Sequence, residues 1–261
     1  MRVKKYDGVG NNFVILPFEE GEDYSKLAQT LCQEFATDGL IAVKENPLEM
    51  VYYNQDGSQA SMCGNGIRCF AKYCLDENIA SEENFDVETL AGTMKIQVIS
   101  KNPYICSVNM GQAKFGSDYN KMSVEDTGKH IIEVDKQKIE LYTVFMGTVH
   151  TVVFVDDAKA MLESNLGEII CNHPLFKEKT NVNFVEVNSR TDLTVRTYER
   201  GVGWTLACGT GCCAASVIAN KLGLADETVT IHLERGQLTI ENKETVFMSG
   251  PATFEIEREI V

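Results

Sequence analysis

The sequence predicts a mixed α/β (α+β) chain of two related domains, and three observations predict it. A Cys-Gly-x-Gly motif occurs twice, as Cys63-Gly64-Asn65-Gly66 and as Cys208-Gly209-Thr210-Gly211. Each copy follows a strand-like run of alternating apolar residues and opens a helical run. A shift of 145 residues, from 63 to 208, lays one copy on the other and carries Leu48 onto Leu193, Met50 onto Val195, Tyr53 onto Tyr198 and Asn54 onto Glu199. A polar residue therefore stands nine positions before the motif in both halves, the mark of a duplicated domain with one half-site in each copy.

The motif has a physical reading. A strand that ends in Gly-x-Gly and enters a helix leaves several backbone N–H groups pointing outward. Those donors, with the helix dipole behind them, suit an anion such as a carboxylate, and they favour the thiolate of a cysteine at the same end. Two such ends facing each other across a cleft would hold one carboxylate between them, with a sulfur on either side of the carbon that bears it. Removing a proton from one face of a Cα and returning it to the other needs that arrangement.

The elements follow in order. Strands are expected at 2–7 and 12–17, around Gly8-Val9-Gly10-Asn11-Asn12, where the glycines mark a turn at which backbone comes close to another group. Leu27, Ala28, Leu31, Cys32 and Phe35 recur at helical spacing and predict a helix over 24–35. Asp38-Gly39 turns the chain into a short strand at 40–44, and Pro47 precedes a strand at 48–54. Asn54-Gln55-Asp56-Gly57-Ser58 is a turn. The first motif then opens a helix to about residue 75, with Ile67, Phe70, Ala71 and Cys74 as its apolar stripe. Cys69 and Cys74 read as core packing rather than as ligands. Strands follow at 84–88, 92–99 and 104–110, and the polar stretch 111–127 is the expected hinge.

The second half repeats the plan. Strands at 130–134 and 138–145 lead to Gly147-Thr148-Val149-His150, a turn into a strand at 152–155. A helix is expected over 157–166, with a short one near 166–172 that Pro174 ends. Residues 181–187 alternate as a strand, and 193–198 is the partner of 48–53. The second motif opens a helix to about 222, and strands at 228–233, 237–241, 244–248 and 252–257 close the chain.

Composition bounds the function. Hydrophobic residues at 44% and aromatic residues at 8% describe a globular chain with a sizeable core, and 261 residues suit two domains of ordinary size. The 24 Lys and Arg against 38 Asp and Glu give a net charge of −14, which argues against nucleic acid and anionic membranes as partners. No apolar run approaches the ~20 residues that span a bilayer, and the N-terminus enters a strand with no signal peptide. Nine cysteines, with Cys212 and Cys213 adjacent, do not make a disulfide framework, so free thiols in a reducing cytoplasm are expected. No Cys-x-x-Cys pair occurs, and neither His150 nor His173 has a ligand neighbour at zinc spacing, so no metal is expected. Neither glycine turn completes a dinucleotide or phosphate-loop fingerprint. A lone Cys–His nucleophile, Cys63 or Cys208 with His150, would need one cysteine and not two in equivalent places.

The stretch from Asn54 through Cys63-Gly64-Asn65-Gly66-Ile67-Arg68-Cys69 resembles the first signature of diaminopimelate epimerases. Glu199-Arg200-Gly201-Val202-Gly203-Trp204-Thr205-Leu206-Ala207-Cys208-Gly209-Thr210-Gly211 resembles the second. Gly8-Val9-Gly10-Asn11-Asn12-Phe13 and Asn181-Val182-Asn183-Phe184 match two further segments of that family.

The resemblance implies two pseudo-symmetric domains, each a curled, mostly antiparallel sheet around a central helix, with the active site in the cleft between them. The expected division is 1–112, with the strand 250–261 returning to it, and 113–249. It also implies cofactor-free inversion at the Cα of a small-molecule amino acid in the lysine and peptidoglycan pathway; a homodimer is compatible with it. By position, Cys63 and Cys208 are the acid/base pair, and the backbone N–H groups of Gly64, Asn65, Gly209 and Thr210 hold the reacting carboxylate. Asn11, Asn54, Asn181, Glu199 and Arg200 bind substrate, the last two at the end that does not react. His150 corresponds to a family histidine near the cysteines. Proline-directed relatives carry His where this chain has Asn65, which favours a primary amine.

Departures bear on the substrate. The family has Asn-Asp-Phe where this chain has Asn11-Asn12-Phe13, and a glycine-rich stretch where it has Glu34-Phe35-Ala36-Thr37. It has Asn-Pro-His at Thr148-Val149-His150, and a smaller or polar residue at Trp204. The leading expectation is epimerisation of LL-/meso-diaminopimelate. The alternatives are a racemase of another amino acid, such as histidine, on the same fold, and a non-catalytic amino-acid-binding module, which would need neither cysteine.

Overall fold

A computed structural model gives the fold of residues 1–125 and 128–260. It is a mixed α/β fold in two units, Met1–Asn109 with Ser249–Val261, and Met110–Met248. Asp126 and Thr127, the last residues of the expected hinge, and Val261, the last of the returning strand, lie outside the described residues.

In the first unit β1 (Arg2–Asp7) and β2 (Asn12–Pro17) form an antiparallel hairpin. Helix α1 (Tyr24–Phe35) crosses over to β3 (Gly39–Lys44), which lies parallel to β2. Asp23 caps α1 by accepting from Lys26 N, and Ala36 closes it in the left-handed region at φ 50°. That left-handed position explains a departure noted above, since it is where a glycine-rich stretch would sit without strain. The apolar positions of α1, Ala28, Leu31 and Cys32, bury against Val14, Leu16, Leu40 and Ala42 of the strands. Next come β4 (Glu49–Asn54), antiparallel to β3, and the short β5 (Gln59–Ala60), which turns back onto β4. The motif then opens α2 (Gly64–Asp76), followed by the antiparallel β6 (Asn84–Val87), β7 (Met94–Lys101) and β8 (Tyr104–Asn109).

Helix α2 packs against β1, β2, β3 and β8 and is buried on nearly all sides. Its expected stripe, Ile67, Phe70, Ala71 and Cys74, is fully buried. Each large apolar side chain hidden in this way contributes about 1.5–3 kcal/mol.

The second unit begins with the single turn α3 (Ser117–Asn120), then β9 (Lys129–Val134), β10 (Gln137–Phe145) and β11 (Val149–Phe154) as an antiparallel run. Within the expected hinge, Lys114 bridges to Phe145 and Met122 to Phe176. A crossover through α4 (Leu166–Cys171) leads to β12 (Asn181–Ser189), parallel to β11. Strand β13 (Asp192–Glu199) and the short β14 (Gly203–Thr205) return antiparallel, and the second motif opens α5 (Gly209–Lys221). The last strands are β15 (Thr228–His232), β16 (Gln237–Asn242), β17 (Val246–Pro251) and β18 (Thr253–Glu259), and β18 pairs antiparallel with β1 in the first unit.

Each unit thus uses one connection order: hairpin, parallel crossover, hairpin, two- or three-residue return strand, glycine-opened helix of 13 residues. Among the described residues no helix is long and apolar enough to cross a membrane.

Two local expectations are corrected. Residues 157–166 form only a 3-10 turn, Ala160–Glu163, with no buried residue. Ala160, Met161 and Leu162 are consecutive, so they make no stripe for a longer helix to bury. His150 and Val149 belong to β11 and not to the preceding turn, and both are buried.

Candidate active site

Both motif cysteines are N-caps. Cys63 has the extended backbone of a cap, φ −134° and ψ 124°, and its sulfur accepts from Gly66 N at 3.4 Å. Cys208 has φ −125° and ψ 105°, and its sulfur stands 3.5 Å from Thr210 Oγ1. A sulfur at a helix N-terminus meets the positive end of the dipole and the first free N–H groups, which steady negative charge there. Gly64 and Asn65 follow in one half, Gly209 and Thr210 in the other, each in the first turn.

The first half-site gathers Asn11, Cys63 and Asn65. Cys63 Sγ lies 3.8 Å from Asn11 Oδ1. The loop that carries Asn11 is held by two carboxylates: Asp7 accepts from Val9 N and Gly10 N, and Asp38 accepts from Asn12 N at 2.8 Å. A Cβ on Gly8 would stand 3.0 Å from Asn65 O and 3.1 Å from Cys69 Sγ, so the backbone approach read from the glycines is an approach to α2. Asn54 sits at the end of β4, where its Oδ1 accepts from Tyr52 OH at 2.8 Å and its Nδ2 donates to Ser58 Oγ at 2.9 Å.

Arg68, in the first turns of α2, organises this half. Its side chain is completely buried. Nη1 donates to Gly64 O at 3.0 Å and Asn65 Oδ1 at 3.1 Å, Nη2 donates to Gly8 O at 3.1 Å, and Nε to Pro251 O at 3.2 Å. Burying a guanidinium is costly unless its donors are met, and here they tie the Asn11 loop to the start of α2.

In the second half-site Asn181, Arg200 and Thr148 form one cluster. Arg200 N donates to Asn181 Oδ1 at 3.0 Å, and its Nη2 donates to Thr148 Oγ1 at 3.0 Å. Nη1 donates to Glu178 O at 3.1 Å. Glu199 accepts from Thr205 Oγ1 at 2.7 Å. Burial first, and then the Glu199 carboxylate, push the Cys208 thiol well above its usual range, against the lowering effect of the Thr210 hydroxyl and the Gly211 N–H. His150 is completely buried, and burial followed by the Arg200 charge lowers its pKa to about 3.

Trp204 packs its ring 5.6 Å from Phe184 and 5.5 Å from Tyr198, beside the apolar cluster of the second unit. Asn183 carried no role in the sequence, yet it is fully buried, and a Cβ on Gly211 would stand 2.3 Å from its Oδ1 and 3.2 Å from Cys208 Sγ. A signal for it existed: Asn181 and Asn183 are two apart on one strand and so share a face, while Val182 and Phe184 turn to the apolar cluster.

The family model for diaminopimelate epimerase matches residues 3–116 and 142–255. A diaminopimelate epimerase of Alkaliphilus metalliredigens is 38% identical over 267 residues, covering 97% of this chain and 94% of the relative. One from Desulfitobacterium hafniense is 40% identical over 273 residues, covering 97% and 96%. Among solved structures, a phenazine biosynthesis protein of the PhzF family from Bacillus anthracis superposes with a TM-score of 0.71 at 16% identity, covering 100% of this chain and 99% of that one. A hydroxyproline epimerase from Agrobacterium vitis superposes at 0.69 and 13% identity, covering 99% and 91%. These two likenesses speak for the fold. The matches in sequence go further: this chain belongs to the diaminopimelate epimerase family.

Proposed function

We propose that the chain is an isomerase that interconverts LL- and meso-diaminopimelate without a cofactor, using Cys63 and Cys208 as a two-base pair. The observation that carries this reading is the twofold occurrence of a cysteine capping a glycine-opened helix, on related connections in both units.

The chemistry follows from the caps. A thiolate takes the Cα proton, and the electron pair left behind spreads into the α-carboxylate. Backbone N–H groups of Gly64, Asn65, Gly209 and Thr210 hold that carboxylate and stabilise the growing charge. The other cysteine, as thiol, gives its proton to the opposite face of the carbon. One thiol and one thiolate remain, with roles exchanged, so the reverse reaction uses the same pair. Burial and Glu199 favour Cys208 as the thiol of the resting pair.

The Glu199 charge, after burial, raises the Cys208 thiol, which supports assigning its carboxylate to the ammonium at the reacting carbon, where the resemblance implies the far end. Arg200, oriented by Thr148 and Asn181, is the group for the distal carboxylate. Asn11 and Asn54 add neutral hydrogen bonds. The Thr148–Arg200 hydrogen bond and the packing of Trp204 on Phe184 are both compatible with diaminopimelate as the substrate. A reducing cytoplasm suits nine free cysteines.

Purified protein supplied with LL-diaminopimelate should form the meso isomer, followed by chiral chromatography, while histidine and other amino acids with one α-centre stay unchanged. Faster inversion of histidine than of diaminopimelate would overturn the substrate assignment.

A further inference from the structure

All polar atoms of the Asn183 side chain are engaged. Its Nδ2 donates to Thr151 O at 3.0 Å and to His150 Nδ1 at 3.1 Å, and its Oδ1 accepts from Thr197 Oγ1 at 3.0 Å. All four residues are buried. The bonds fix the amide's orientation, because a flipped amide would set its oxygen against the Thr151 carbonyl, acceptor against acceptor. With Nδ2 donating, His150 Nδ1 must accept, and the ring proton sits on Nε2. Among the described residues, buried Nε2 has no hydrogen-bond partner. Burial and the Arg200 charge keep the ring neutral at ordinary pH.

The same amide lies against the first turn of α5. Gly211 leaves the space that Asn183 Oδ1 fills, and the sulfur of Cys208 borders that space. Asn183 is therefore built into the wall behind the second cysteine, with His150 hydrogen-bonded to it.

We propose that Asn183 is a positioning residue: it locks His150 in the neutral form protonated at Nε2, so that the second half-site offers a fixed N–H donor to the charge that develops on the substrate. The proposal rests on the epimerase reading. A neutral N–H donor strengthens its bond as the carboxylate gains charge, and it does not compete with the sulfurs for the Cα proton. An imidazolium would bind the resting carboxylate nearly as well and so gain less in the transition state. The other tautomer would turn a lone pair toward the anion.

The ring nitrogens report the state directly. Long-range 15N–1H correlation spectra of the full chain, with His150 assigned by its loss in His150→Gln, should show a neutral ring with the proton on Nε2 from pH 6 to 8. Asn183→Asp puts an acceptor opposite Nδ1 and should draw a proton there. It should lower kcat for diaminopimelate by about 100-fold with KM little changed. Thr197→Val, which leaves both Nδ2 bonds in place, should keep the tautomer and most of the activity. A wild-type ring protonated on Nδ1, or one that titrates in that range, overturns the proposal. So does an Asp variant that switches the ring and keeps its kcat. The wild-type spectrum needs neither a variant nor a substrate, so a wrong tautomer sinks this proposal even where diaminopimelate is turned over.

Discussion

Arg200 Nη2 donates to the hydroxyl of Thr148 across 3.0 Å. The resemblance implies an asparagine at this place, one of the departures that bear on the substrate. The threonine hydroxyl steadies the guanidinium to which the proposed function gives the far carboxylate, while Asn181 fixes the Arg200 backbone.

Thr148→Val keeps the shape of the side chain and removes the bond. A hydrogen bond of this kind contributes about 0.5–1.5 kcal/mol, so KM for diaminopimelate should rise about 2- to 12-fold with kcat nearly kept. Arg200→Ala removes the cation itself and should lower kcat/KM by orders of magnitude. Steady-state kinetics of the two variants, side by side, check the order. A loss from Thr148→Val as large as that from Arg200→Ala would contradict a hydroxyl that merely steadies the guanidinium.

The second glycines of the two motifs should differ in their tolerance of a methyl group. On Gly211 a Cβ meets Asn183 Oδ1 at 2.3 Å, an atom pinned by Thr197. On Gly66 the nearest atoms are Met50 Cε at 3.1 Å and Ile41 Cδ1 at 3.2 Å, the ends of flexible chains. Gly211→Ala should therefore cost about 1–3 kcal/mol and most of the activity, and Gly66→Ala distinctly less, as read by denaturant unfolding and turnover.

Stability should fall at both ends of the pH scale. Burial pushes the thiols of Cys69 and Cys208 well above their ordinary range. In the unfolded chain they ionise above about pH 8.5, so the folded state holds more protons there and loses about 1.4 kcal/mol per thiol per pH unit. On the acid side, His150 has a folded pKa of about 3 against an ordinary 6.5, so only the unfolded chain takes up that proton. Stability from this group is then lost as pH falls from 6.5 toward 3. Unfolding midpoints in reductant should be highest near neutrality and drop by pH 10 and by pH 5. A midpoint that rises from pH 8.5 to 10 would contradict the burial of these thiols.

Much of this arrangement is legible in the sequence because its causes are local. Gly-x-Gly after an alternating run leaves little choice but a strand, a tight turn and a helix, so Cys63 and Cys208 fall at caps. Stripes such as Leu27, Ala28 and Leu31 write their burial in their spacing. What stays hidden depends on partners far along the chain. Nothing local to Arg68 points to Gly8 and Pro251 as its acceptors, and nothing local to Asn183 points to His150, Thr151 and Thr197 around it. The contacts of Trp204 with Phe184 and Tyr198 likewise come from strand pairing that spacing does not reveal.

The central claim is that two sulfurs share one proton transfer, and hydrogen exchange tests it most directly. LL-Diaminopimelate incubated in D₂O with the wild-type chain should gain deuterium at the reacting Cα as the meso isomer forms, followed by NMR. Cys63→Ser and Cys208→Ser, each verified as folded by thermal melting, should both lose epimerisation. Near-wild-type epimerisation by either single variant would contradict the account.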